Sequence, residues 1–321
     1  MTLVYDRPFH ESFLERIVGV GWGGSGAVFV SGDLCCFERA VKIPKWDAEQ
    51  DWKGLGPMEF SPGGGTEGSS YGLSSKGIPI FVIGGEGYPD FMQGRNVPII
   101  MRSFDGFQWE FIQFQSSYPD IKAISDFVWD DDEKRFYANP TDNTGQASRA
   151  IYSPTGKEWF YAYGTFEEHC KGYFKATPDG VYGFNPASDT IIYPGSGALD
   201  GVPVLPRSGS PVVSIILNAH SKDRKEIVAN TGLNRCSAVA FCGGIWMAGG
   251  YGILVDESGT TVAQGSATVS SLDDGQTWFL STAGTIGMTG NYEIWTISGG
   301  PIKDFKQDLS KAYFEGAWHG A

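Results

Sequence analysis

A turn that returns three times, each time closed by a tryptophan, limits the folds open to this chain more than any other feature. Near the C-terminus it is built from Ser271, Asp273, Asp274, Gly275, Thr277 and Trp278. Earlier it is built from Ser103, Asp105, Gly106 and Trp109, and a degenerate copy runs Ser153, Thr155, Gly156, Trp159. The residue types explain the spacing. A Ser hydroxyl and an Asp carboxylate bond the backbone within a tight turn, Gly supplies positive φ, and the Trp opens the next strand and buries its ring. Each copy reads as a β-hairpin tied to itself, with an aromatic anchor.

The flanks repeat as well. Residues 123–162 read as strand AISDFVW, the acidic run Asp130 to Glu133, strand RFYAN, a polar loop, strand RAIYS, the turn, and strand EWFYA. Residues 71–114 and 236–281 carry a similar succession, through IPIFVIGG, VPIIMRS and QWEFIQF in the first and CSAVAFCGG, IWMAGG, ATVSS and TWFLS in the second. Val18 to Trp22 followed by Ala27 to Val30 reads as a decayed unit whose turn at Ser31 and Asp33 lacks the glycine. Residues 168–232 hold one unit with extra hairpins, and NYEIWTISGG and KAYFEGAW supply strands for a last unit closed by the N-terminus. Four strands in about 45 residues, repeated around a ring, is the pattern of a β-propeller. The expectation is an all-β fold, one propeller over 1–321 with six four-stranded blades, five or seven being the alternatives. The Gly/Pro/Ser-rich stretch 54–72 is expected to be a surface loop between the first two blades.

The turn pattern resembles the Asp-box, or bacterial neuraminidase repeat, S-x-D-[x]-G-x-T-W. The copy at Ser271 matches closely, the copy at Ser103 lacks only the Thr, and the copy at Ser153 has Thr155 in place of Asp. The resemblance implies that the turns join the third and fourth strands of a blade, on the face opposite the ligand. The acidic run Asp130 to Glu133 then shares the turn face, and it reads as a solvated turn because it lacks the oxygen spacing of a calcium loop.

On that reading the opposite face is made by the second hairpin of each blade and the connections between blades. The candidates there are Glu86, Tyr88, Asp90 and Arg95 in one loop, Asp142 in the next, Glu167, Glu168 and His169 after that blade, and Tyr251 and Asp256 near the end. Carboxylates, aromatics and an Arg at one end of a channel suit sugar or peptide binding.

Composition agrees with a strand-and-turn protein and narrows its partners. Of 321 residues 45 are Gly, aromatics are 14% and charged residues only 19%, which excludes a disordered chain. The formal charge of −13, with scattered Lys and Arg, opposes nucleic-acid phosphate and anionic lipid, so no nucleic-acid partner is expected. The start lacks a basic segment followed by an apolar core, and no stretch reaches about 20 apolar residues, so neither Sec export nor membrane insertion is expected. Five cysteines, two of them adjacent, read as free thiols in a reducing compartment.

Catalytic patterns are weak. Asp-box propellers include sialidases, whose resemblance implies three arginines, a Tyr–Glu pair and an Asp acid. Where such enzymes carry R-[IL]-P this chain has Lys42, Ile43 and Pro44, and Lys makes no bidentate clamp. No nucleophile elbow, zinc helix or phosphate loop occurs, and four scattered histidines argue against a metal. Neither cofactor, metal nor catalytic residue is therefore expected. The reading that follows is a non-catalytic structural or binding propeller in the style of tailed-phage tail or fibre proteins, located in the virion if phage-encoded and otherwise cytoplasmic. Its expected partners are other proteins of an assembly and a host glycan. A glycoside hydrolase of sialidase-like fold is the first alternative, and an intracellular assembly scaffold the second.

Overall fold

A computed structural model describes residues 15–21, 27–31, 38–39, 68–87, 97–112, 120–142, 149–169, 183–185, 187–195, 211–242, 244–280 and 294–301. In chain order the strands are β1 (Glu15–Gly21), β2 (Ala27–Ser31) and β3 (Glu38–Arg39), then β4 (Gly68–Leu73), β5 (Pro79–Gly87), β6 (Val97–Ser103) and β7 (Glu110–Ile112). There follow β8 (Ile121–Asp130), β9 (Arg135–Asp142), β10 (Ile151–Ser153), β11 (Phe160–Tyr161) and the short helix α1 (Phe166–His169). The rest are β12 (Gly183–Asn185), β13 (Thr190–Pro194), β14 (Val212–Leu217), β15 (Lys225–Asn230), β16 (Arg235–Cys242), β17 (Ile245–Val255), β18 (Thr261–Ser271), β19 (Phe279–Leu280) and β20 (Ile294–Pro301).

These strands make five four-stranded antiparallel sheets among the described residues, in the orders β20-β1-β2-β3, β4-β5-β6-β7, β8-β9-β10-β11, β12-β13-β14-β15 and β16-β17-β18-β19. The innermost strand of every sheet lines one cavity, so the sheets are blades around a common axis and the fold is a β-propeller. Five blades stand where six were expected. Five is one of the two alternatives, and the difference arises because the first and last expected units are one blade: the two N-terminal strand runs are β1 and β2, its second and third strands. Its inner strand is β20, brought back from the C-terminal end and paired from Glu15 with Pro301 to Gly21 with Ile294.

The stretch expected to be a loop through residue 72 becomes β4 at Gly68. Small residues are required there because the neighbouring blade leaves no room. A Cβ on Gly68 would strike the Asp126 backbone, and one on Gly72 would strike the rings of Trp129 and Phe136.

The core lies between blades. One apolar cluster joins Val28 and Val30 of the first blade to Phe81, Ile83 and Trp109 of the second. Another joins Val82 and Ile100 of the second to Phe127, Ile151 and Trp159 of the third. A third joins Ile192 and Ile215 of the fourth to Trp246, Val269 and Trp278 of the fifth, and Met247 of the fifth packs with Ile294 and Ile297 of β20. The remaining face of the third blade is covered by Phe166 of α1 with Tyr137, Ala150 and Ala162.

The three repeated turns share one construction. The indoles of Trp109, Trp159 and Trp278 each donate to the carbonyl of the turn glycine, Gly106, Gly156 and Gly275, at 2.8, 3.1 and 2.6 Å. Gly106 and Gly275 donate their amides to Ser103 and Ser271 Oγ at 2.8 and 2.9 Å. Asp105 Oδ1 accepts from the Phe107 and Gln108 amides, both at 2.8 Å, and Asp273 accepts from the Thr277 amide and hydroxyl at 2.8 and 2.6 Å. In the degenerate copy the Thr155 hydroxyl replaces the carboxylate, and its bond from the Lys157 amide lengthens to 3.3 Å. The turn glycines sit at φ 77°, 73° and 79°.

Two of the turns also press on the preceding blade. A Cβ on Gly156 would lie 2.8 Å from Val82 Cγ1 and 3.1 Å from Arg102 Cδ, and one on Gly275 would strike Ile192. Gly77 has the same φ, 75°, with nothing within 4 Å of a Cβ. Replacing Gly156 by Ala is therefore expected to cost about 1–3 kcal/mol more than replacing Gly77 by Ala, the excess being the blade contact alone. Urea unfolding of both variants measures it. Burial raises the Asp273 carboxyl, but bonds from Thr277 and Ser271 outweigh it and hold the group below its ordinary value. The stabilisation is thus fully present above the unfolded value of about 3.9 and is lost as pH falls through the lower folded one. Asp273→Asn should flatten the fall of Tm below about pH 4 in a thermal scan.

Candidate functional site

An antiparallel meander puts its first and third turns at one end and its second hairpin at the other. The repeated turns and the β8–β9 turn therefore share one face. There Asp130 Oδ1 caps the amides of Asp132 and Glu133 at 3.0 Å each, Asp131 pairs with Lys134, and Glu133 accepts from the Tyr137 hydroxyl at 2.6 Å. This is a self-bonded solvent-side turn, and no group of three or more His, Cys, Asp or Glu able to hold a metal occurs among the described residues.

The same face carries an inter-blade joint that the sequence did not announce. Asp274, the extra residue of the Ser271 turn, adopts φ 53°, a left-handed conformation that Asp tolerates. Its Oδ1 accepts from Trp246 Nε1 at 3.0 Å, and across the interface from Asn185 Nδ2 at 3.1 Å and Ser188 Oγ at 3.0 Å. Arg102 plays a similar part between the second and third blades. Only 3% exposed, it pairs with Glu110, donates to the Thr155 carbonyl at 2.9 Å and stacks 4.8 Å over the Phe104 ring.

On the axis, residues 69–71 of β4, 127–129 of β8, 183 of β12, 239–241 of β16 and 297–299 of β20 line an open cavity of about 180 Å³. Two of its inner strands, β4 and β20, are joined by hydroxyls, Ser69 Oγ and Thr296 Oγ1 lying 2.7 Å apart. Toward the opposite end of the channel two inner strands are bulged, β8 at Ser125 and β16 at Ser237. Bulges re-aim side chains and are over-represented beside active sites. The residue following the bulge in β8 is Asp126, 5% exposed, with Oδ1 accepting from the Phe127 amide at 2.8 Å. Its cross-strand partner is Asn139, 3% exposed, whose main-chain carbonyl accepts from Ser125 Oγ at 3.1 Å. The same blade end carries Asp120, exposed just before β8, and Asp142, half-buried and paired in register with Ile121.

Sequence-derived candidates scatter. Tyr88, Asp90 and Arg95 lie outside the described residues, as do the side chains of Glu86 and Glu167. Asp142 stands at the expected end of the third blade. Tyr251 ends the β16–β17 ladder there, with the Arg235 guanidinium 5.1 Å from its ring centre. Asp256 lies farther out, at the tip of the β17–β18 hairpin, where Oδ1 accepts from Ser258 Oγ at 2.6 Å and from the Ser258 and Thr260 amides at 2.9 Å.

Glu168 and His169 do not open on the channel. Glu168 Oε2 accepts from the Thr165 amide at 3.2 Å, and the His169 ring stacks 3.9 Å from that of Tyr137 with an interplanar angle of 8°. Phe166 packs α1 against the blade through Tyr137, Ala150 and Ala162. Asp126 was passed over by sequence reasoning, although an ionisable residue inside the apolar run AISDFVW was the available signal.

No family model matches the chain, and neither does any curated protein. Among solved structures it is similar to the catalytic domain of the Coprinopsis cinerea GH62 α-L-arabinofuranosidase, at 9% identity and TM-score 0.32 over 69% of this chain and 76% of that one. It is also similar to a family 117 glycoside hydrolase from the marine bacterium Zobellia galactanivorans, at 10% identity and TM-score 0.33 over 70% and 72%. A third is a GH130-family structure described among hydrolases that target β-1,2 mannosidic linkages in Candida mannan, at 12% identity and TM-score 0.31 over 80% and 81%. The expectation of a non-catalytic virion component is corrected by this finding: the proteins met are glycoside hydrolases, the class of the first alternative. At these values no residue or substrate of theirs transfers to this chain. No helix among the described residues is long and apolar enough to cross a membrane.

Hydrogen bonds, chiefly from the Ser258 hydroxyl and the Thr260 amide, hold Asp256 below the ordinary carboxylate range. Asp256→Ala is expected to speed hydrogen exchange at the Ser258 and Thr260 amides about tenfold or more while the inner strands keep their protection. Unchanged exchange at both amides would contradict the cap.

Proposed function

We propose that the chain is a carbohydrate-active propeller, a glycoside hydrolase whose chemistry is carried by carboxylates at the channel end of the third blade. The observation that carries this reading is Asp126. A carboxyl group removed from water in a strand of apolar neighbours is costly to the fold, and here it stands on an innermost strand, directly after a bulge, backed by the Gly68 backbone of the next blade.

Glycoside hydrolysis asks for two carboxyl groups about 5–10 Å apart, one buried enough to keep its proton and one able to act as base or nucleophile. In this reading Asp126 is the first. Asp120, at the end of the same blade, is the candidate for the second, and Tyr251 beside Arg235 offers a ring face to the sugar. The partner so implied is a glycan. We further read the Ser103, Ser153 and Ser271 turns as Asp-box repeats. What supports that reading is their common set of serine, glycine and indole bonds, and it makes those turns architectural, remote from the chemistry.

The test is hydrolysis of a panel of aryl furanosides, aryl pyranosides and sialosides. Turnover of at least one member is expected, falling about 10³-fold in Asp126→Asn with a Tm change of only a few degrees. A chain inactive on the whole panel, or an Asp126→Asn variant that keeps its rate, refutes the assignment.

A further inference from the structure

Asp126 and Asn139 are directly opposed across β8 and β9, which puts their side chains on one face of the blade with Cβ atoms about 5 Å apart. Both residues are buried, 5% and 3% exposed, and farther along the same blade face Tyr137 packs with Phe166 and the partly buried Val128. The Phe127 amide bonds to the carboxyl, and the Ser125 hydroxyl ties the bulge to the Asn139 carbonyl, so the pair has little freedom to separate. Asn139 Oδ1 is buried and has no hydrogen-bond partner. An ionised carboxylate offers it nothing, since both groups only accept, whereas a carboxylic acid donates.

We propose that Asn139 is a positioning residue that keeps a proton on Asp126, the Asp126 carboxyl donating a hydrogen bond to the Asn139 side-chain oxygen. An acid of this kind, keeping its proton above the ordinary carboxylate range, is what departure of a sugar leaving group requires. The use of that proton rests on the hydrolase reading; the pairing itself does not.

Other titratable groups lie on the same blade face. Asp130 and Arg135 sit at the turn end, opposite in sign. Tyr137 stands between, bonded to Glu133 and stacked on His169 of α1. From β4 the Gly68 backbone lies against that of Asp126.

The experiment is a carboxyl-carbon NMR titration of the intact chain, with the Asp126 signal assigned by its loss in Asp126→Asn. The wild-type midpoint is expected about two units or more above the ordinary aspartate value of about 3.9. In Asn139→Ala it should drop by about one unit or more. In the isosteric Asn139→Asp the two carboxyls should share a proton, with the upper midpoint rising further. If Asn139→Ala does not fold, Asn139→Asp alone decides, because its upper midpoint must exceed that of the wild type. A wild-type midpoint at or below about 4, or one indifferent to residue 139, overturns the proposal. On an active substrate, the basic limb of the kcat/KM profile should move with the same midpoints. A raised, Asn139-dependent midpoint in a chain without hydrolytic activity would sustain the pairing and remove only the hydrolase reading.

Discussion

Among the described residues apolar clusters fill the joints between the first and second, second and third, fourth and fifth, and fifth and first blades, so the sheets depend on the ring being shut. Shutting it falls to β20, which crosses from the C-terminal end to become the inner strand beside β1. The pairing completes the first blade and also fills the space next to the fifth, where Ile294 and Ile297 pack on Met247. Without it two faces would stand open to water. Apolar burial is worth about 25 cal/mol per Å², and a face exposed at one joint loosens the ladder on either side.

The repeated turns serve that ring from one end. Their internal bonds fix the turn, the indole seals it, and the glycine lets it lean on the blade before. Gly156 rests against Val82, and Gly275 against Ile192. Arg102 and Asp274 then add charge-assisted bonds across the same two joints. The architectural polar groups are thus gathered on the turn face, which leaves the far end of the channel to Asp126, Asp142 and Tyr251.

How much of this was legible depended on the kind of residue. The tryptophan turns and strand runs were readable because each obeys a local rule, hydrogen bonding in a turn or burial along a strand. β4 was hidden, since a Gly68 and Gly72 demanded by Trp129 and the Asp126 backbone look in sequence like any flexible stretch. Asp274 was hidden because its partners lie 86 and 89 residues away. The placement of Glu168 and His169 misled for a similar reason: polar residues after a blade read as a loop, but Phe166 buries, His169 stacks on Tyr137 and Glu168 turns back to the Thr165 amide. Asp126 stood in plain view within an apolar run, and only the bulge and its register with Asn139 give it meaning.

Native-state hydrogen exchange reports on the closure most directly. If β20 shuts the ring, the amides of Thr296 and Ser298 open only with the whole molecule, at the same free energy as those of β4 and β8. Exchange of the β20 amides a hundredfold or more faster than those inner strands, with β4 and β8 still protected, would mean that the blades stand without closure and would contradict the account.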